Sequence, residues 1–151
     1  PDAAVLKTAL GAAEYVPFEV APSAADAVRA LQARGFTVWA AETCAQSVPF
    51  TSAPLPALPA LGGGGDGGNG GGGGGGCAIV LGNEVVGVHV DALEAADAIV
   101  TVPMFGIKNS LNIGVCTALL VFDVLRRWHL LEAADGGLPV GSVLRPAGDR
   151  S

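Results

Sequence analysis

The sequence predicts an α/β domain built on a parallel sheet, and three features carry that prediction. The first is a helix, a glycine and a strand in succession over residues 24–41, which is half of a βαβ unit. The second is a further apolar strand at Ala78–Leu81, short and bounded by glycine, as the strands of parallel sheets are. The third is the segment Val102–Asn112, where the end of an apolar strand passes through a turn carrying Pro103 and Gly106 into a long apolar helix. At a strand end that feeds a helix, unpaired backbone N–H groups point outward, and open α/β sheets place their ligands there.

Taken in order, Ala3–Ala13 reads as a short helix with Gly11 near its end. Tyr15–Val20 alternates like a strand, and Pro17 would confine it to a sheet edge. Ser23 with Asp26 three residues later is a capping-box-like start, and the spacing predicts a helix over Ala24–Arg34 with Ala27, Val28 and Leu31 on one face. Gly35 stops it. Phe36–Ala41 is the next strand. Val90–Ala96 reads as a short helical turn, and Ala98–Val102 as a strand.

The helix Ser110–Trp128 is apolar on nearly every side, with Leu111, Ile113, Val115, Leu119, Leu120, Val121, Phe122, Val124 and Leu125. Such a helix needs cover all round, which a small domain cannot give it alone, so a homodimer through this helix is expected. At its start stand Asn109, Ser110 and Asn112. Three polar groups between apolar runs suit recognition or catalysis. An N-cap role for Ser110 and a first-turn or turn role for the asparagines explain them equally well.

Ser47–Gly76 opens with four prolines (Pro49, Pro54, Pro56 and Pro59) and becomes almost pure glycine from Gly62. A phosphate-cradling loop requires a following Lys and Ser/Thr, which are missing, so formal G-x-G-x-x-G matches inside this run carry no weight. Residues 47–76 are therefore expected to be a disordered insertion, which a fold tolerates because loop-closure cost grows slowly with length. The tail from Glu132 to Ser151 is rich in Gly and Pro and expected to be poorly ordered.

With 151 residues, half of them apolar, the chain can bury one core and has no room for two full domains. Its net charge is −6 and its pI about 4.6, the wrong sign for a stand-alone nucleic-acid binder. No Lys or Arg lies between Arg34 and Lys108; the basic residues placed to meet RNA are Lys7, Arg29, Arg34, Lys108, Arg126 and Arg127. Cys44, Cys77 and Cys116 show neither C-x-x-C nor Cys/His spacing, so no disulfide framework and no metal site are expected, and a reducing, intracellular compartment fits best. The longest mostly apolar run, Val115–Phe122, falls far short of the ~20 residues of a membrane span. The first residues resemble neither a signal nor a transit peptide and include no initiator Met, so a piece of a longer protein is expected.

Two segments together carry a sharper signal. Leu81-Gly82-Asn83-Glu84-Val85-Val86-Gly87 follows one strand, and Val102-Pro103-Met104-Phe105-Gly106-Ile107-Lys108-Asn109-Ser110-Leu111-Asn112-Ile113-Gly114 follows the next. In order and spacing these resemble the two motifs of the SpoU/TrmH-type RNA ribose 2′-O-methyltransferases of the SPOUT superfamily, Gly114 standing where Ser is usual. The resemblance implies a parallel-sheet α/β domain over residues 1–130 whose last helix threads a deep trefoil knot, with S-adenosylmethionine bound in the knot. By position it implies cofactor contacts for Thr43, Leu81, Gly82, Gly87, Val102, Pro103, Met104 and Leu111. It implies active-site roles for Ser110 and Asn112 and a loop-organising role for Glu84, with no metal and no membrane partner.

The resemblance begins at Ala4–Pro17, after the family's first strand and its Asn-x-Gly-x-x-x-Arg motif, which supplies an arginine for activating the ribose hydroxyl and does not occur in the chain. Lys7 and Lys108 are poor substitutes for a guanidinium fork. The expected function is thus an S-adenosylmethionine-dependent ribose 2′-O-methyltransferase domain acting on tRNA or rRNA. The alternative is a catalytically incomplete remnant that dimerises and binds cofactor. A different nucleotide-binding α/β protein is disfavoured by the lack of phosphate-loop chemistry.

Overall fold

The computed structural model describes residues 7, 9, 16–58, 75–83, 85–108 and 110–131. The expected helix Ala3–Ala13, the glycine run and the tail lie outside these, apart from single residues and the run's last two glycines. Contacts divide the chain into two units, Ala21–Leu130 and the two flanks, Pro1–Val20 with Leu131–Ser151. In the flanking unit, Val16–Val20 does not form the expected strand, and Val16, Phe18 and Val20 are exposed. Pro17 removes a ladder donor there.

Among its described residues the larger unit is a four-stranded parallel sheet carrying helices. In chain order it comprises α1 (Ala24–Ala33), β1 (Thr37–Ala41), β2 (Val48–Pro49), a 3₁₀ turn (Phe50–Ser52), β3 (Cys77–Leu81), α2 (Val90–Ala95), β4 (Ala98–Thr101) and α3 (Ile113–Arg127). The strand order is β2-β4-β1-β3, every pairing parallel.

α1 starts as its sequence dictates. The Ser23 hydroxyl accepts from the Asp26 N–H at 3.1 Å and donates to the Asp26 carboxylate at 2.8 Å. It ends at Gly35, whose φ of +84° lets the Gly35 and Phe36 N–H groups return to the Gln32 and Leu31 carbonyls. Strand alternation then sorts β1 between two cores. Val38 and Ala40 pack with Val28, Val88 and Ala92 under α1 and α2, whereas Trp39 packs with Ala53, Val100, Leu120 and Val124 under α3.

Two expectations are corrected on the α3 side. Residues 47–58, assigned to a disordered insertion, are built into the fold: β2 pairs with β4, and Pro54 and Pro56 carbonyls accept from the Trp39 and Trp128 indoles, each at 2.8 Å. Arg127 donates to the Phe50 and Ala53 carbonyls and lies 5.7 Å from the Trp39 ring centre. Proline removes donors but leaves its carbonyl, and these carbonyls find indole and guanidinium donors that a reading of proline as a breaker overlooks. The long helix also begins at Ile113, three residues later than expected, because Asn112 caps it by accepting from the Gly114 N–H at 2.9 Å.

α3 buries one side among the described residues. Leu120, Asp123 and Val124 are buried, while Val115, Leu119 and Phe122, at helical spacing on one stripe, are exposed. Asp123 pairs with Arg126 at 2.6 Å and with Arg127 at 3.6 Å.

Candidate functional site

A cleft of about 290 Å³ opens at the carboxyl ends of three neighbouring strands, β4, β1 and β3. That is near the lower end of the range for small-molecule sites, roughly 300–1,000 Å³. Each strand contributes residues from its carboxyl end and the first turn beyond it: Ala41, Glu42 and Thr43 from β1, Leu81 to Asn83 from β3, and Thr101 and Val102 from β4. Across from them, Met104, Ser110 and Leu111 of the loop after β4 and Ile113, Cys116 and Leu120 of α3 complete the wall.

The loop after β3 owes its shape to two glycines. A Cβ on Gly82 would collide with the backbone of Gly87 and Val88, so only glycine lets the loop double back on itself. Gly87 takes φ +68°, and a Cβ there would strike the Glu42 carboxylate. The Asn83 side chain completes the turn, accepting from the Val85 and Val86 N–H groups at 2.9 Å each, while its carbonyl accepts from the Gly87 N–H at 3.0 Å.

Glu42 ties this loop to the sheet. One carboxylate oxygen accepts from the Val88 N–H at 2.9 Å and the other from the Thr43 N–H at 3.1 Å, with the residue half-buried. Beside it, the Thr43 and Thr101 hydroxyls meet at 2.9 Å, joining the ends of β1 and β4. Glu42 is the one charged residue among the described residues lining the cleft. Burial raises the Cys116 thiol above its usual range, so at neutral pH that wall is an uncharged thiol and not a thiolate nucleophile.

Of the residues singled out from sequence, Thr43, Leu81, Gly82, Gly87, Val102, Met104, Ser110 and Leu111 converge on this one cleft. Pro103 and Asn112 are not among its lining residues; Pro103 is exposed just past the end of β4 and Asn112 is the cap of α3. The capping role considered for Ser110 thus belongs to Asn112, and Ser110 is left exposed at the cleft. Glu84 and Asn109 lie outside the described residues. Sequence reasoning missed Glu42, Asn83, Thr101 and Cys116. A position at or just past a strand end was the available signal for the first three.

The described lining is suited to hold and orient a mostly apolar ligand with a few polar edges. Among the described residues there is no cluster of metal-ligating side chains, and no helix is long and apolar enough to cross a membrane.

Residues 1–122 match the SpoU rRNA Methylase family. The tRNA (guanosine(18)-2′-O)-methyltransferase of Thermus thermophilus is 29% identical over 121 residues, covering 80% of this chain and 53% of that protein. The chain thus spans about half the length of that relative. Among solved structures, the TrmH/SpoU tRNA modifying enzyme of A. aeolicus superposes with a TM-score of 0.62 at 23% identity, over 82% of this chain and 53% of that one. An AdoMet-bound rRNA methyltransferase from Sinorhizobium meliloti gives 0.52 at 24% identity, over 68% and 32%. At these identities the structural likeness establishes a shared parallel-sheet α/β fold.

Proposed function

The chain belongs to the SpoU rRNA methylase family, and from that premise we propose that its cleft binds S-adenosylmethionine for 2′-O-methylation of RNA. The observation that carries the reading is convergence: eight residues chosen from two motifs and one strand end fall on one cavity at the carboxyl edge of the sheet. The cavity suits the donor. Gly82 and Gly87 let the loop after β3 fold back on itself and against Glu42, and the walls are apolar with a carboxylate, hydroxyls and an amide at the edge. Bound there, S-adenosylmethionine would supply an electrophilic methyl group on its sulfonium.

The residues have distinct tasks in this proposal. Leu81, Val102, Met104 and Leu111 sandwich the apolar part of the donor, and Gly82 and Gly87 let backbone polar groups approach its edges. Pro103 ends the β4 ladder and so leaves nearby backbone groups free for that purpose. Thr43 borders the strand end. Ser110, exposed at the cleft, faces the incoming ribose, and Glu84 organises the loop. Asn112 acts by capping α3 and so fixing the approach of the loop that carries Ser110 and Leu111. Positioning of this kind supplies much of the rate in a two-reactant transfer.

The substrate in this reading is tRNA or rRNA, the RNA classes in the names of the relatives. One structural feature extends the proposal: a trefoil knot threaded by α3. The exposed stripe Val115, Leu119 and Phe122 is the surface on which two copies would pair. A second reading, a cofactor-binding and dimerising remnant, is favoured by one observation: the sequence carries a net charge of −6, the wrong sign for holding RNA by itself.

Calorimetry with S-adenosylmethionine tests the donor site. Binding that is lost in Leu111→Arg, with folding intact by circular dichroism, supports it; no binding by the wild type defeats it. Methyl transfer from labelled donor to bulk tRNA or rRNA then separates enzyme from remnant.

A further inference from the structure

Glu42 was not among the residues expected at the site, yet it is the one charged side chain among the described residues lining the cleft. Its carboxylate is fixed, not free. The Val88 and Thr43 N–H groups hold one oxygen each, and Gly87 lies against it where any side chain would displace it. A carboxylate offers about four acceptor sites, so two backbone donors leave it with room for further partners. It also stands at the end of β1, the strand flanked by both other strands that open on the cleft.

We infer that Glu42 makes the cleft discriminate a cationic sulfonium donor from the neutral thioether left after methyl transfer. The inference rests on the donor-site reading under Proposed function. S-adenosylmethionine and S-adenosylhomocysteine share adenosine and a zwitterionic amino-acid end; they differ by one methyl group and one positive charge. An anionic wall therefore favours the first over the second even without direct contact, because Coulomb attraction in a half-buried cleft extends over several ångströms. The consequence is retention of the donor and release of the product, from a residue that takes no part in bond making. Glu42 is thus a specificity-determining residue, and its brace on the loop is a separate service.

Charge and brace are separable by experiment. Calorimetry on the full chain would compare S-adenosylmethionine with S-adenosylhomocysteine in the wild type, Glu42→Gln and Glu42→Asp. Glu42→Gln should lower the donor-over-product affinity ratio about tenfold, and Glu42→Asp, which keeps the charge, should largely restore it. Equal weakening of both ligands in Glu42→Gln would mean that the residue only braces the loop, and would overturn the inference. Should Glu42→Gln fail to fold, the wild type alone decides: sinefungin, whose amine carries a positive charge near the sulfonium position, should bind more tightly than S-adenosylhomocysteine. Equal or weaker sinefungin binding overturns the inference. A wild type that binds none of the three compounds overturns the donor site itself, which is a different failure.

Discussion

The two faces of the sheet are built on different principles. Under α1 and α2 the core consists of small and branched apolar side chains, Val28, Val38, Ala40, Val88 and Ala92. Under α3 the core is organised around Trp39, and polar pins run through it: two indole N–H groups and a guanidinium reach carbonyls of the Phe50–Pro56 segment. The first face needs only volume and patterning. The second needs directional bonds, because proline-rich chain lying across a sheet cannot pair through its own donors. The cleft opens against this second face, with Cys116 and Leu120 of α3 in its wall. The face on which the cleft opens is the face that is pinned.

The sharpest way to break this comparison is to truncate one residue from each face. Trp39→Ala should cost about 3–5 kcal/mol, from its transfer term and the cavity left behind. It also strips the Pro54 carbonyl of its indole donor, so early proteolysis within residues 47–58 is expected. Val38→Ala, equally buried, should cost roughly 2 kcal/mol with no change in cleavage pattern. Urea unfolding with limited proteolysis checks both. Equal costs and equal cleavage would mean that the faces do not differ as described.

A smaller effect tests the helix start. Asn112→Ala should destabilise by about 1 kcal/mol through loss of the cap, and Asn112→Ser should recover most of it. If Asn112→Ser restores stability but methyl transfer stays low, Asn112 does more than cap, and its assignment as a positioning residue is too narrow.

A further effect concerns alkaline stability. Burial raises the Cys77 thiol from 9.0 to about 11, against a smaller lowering by Arg127. Below pH 9 both folded and unfolded chains keep the proton, and the thiol contributes no pH dependence. Between pH 9 and 11 the unfolded chain loses the proton while the folded chain holds it, so stability falls as pH rises. Cys77→Ala should flatten that decline in urea midpoints measured from about pH 8 to pH 11. An unchanged slope would show that other groups cause it.

Much of this was legible in the sequence because it rests on local rules. Ser23 and Asp26 start α1, Gly35 ends it, and the alternation of Val38, Trp39 and Ala40 splits β1 between two cores. The glycine elbows were legible as motifs, and their residues meet at one cleft. What escaped depends on contacts between distant residues. The role of Pro54 and Pro56 is set by Trp39 and by Trp128, which is 72 residues from Pro56. Glu42 reaches across 46 residues to Val88. A strand end followed by an acid gives no hint of that partner. The Asn112 cap was missed for a local reason, since Ser110 and Asn112 are both competent caps two residues apart.

The central claim is that the carboxyl edge of β4, β1 and β3 holds the methyl donor. A crystal structure of the full chain grown with S-adenosylhomocysteine tests it most directly. The account predicts density for the ligand between the Gly82–Gly87 elbow and the Met104–Leu111 loop, with Glu42 within reach. Ligand density elsewhere, or that elbow and loop closed on each other with the cleft filled by side chains, would contradict it.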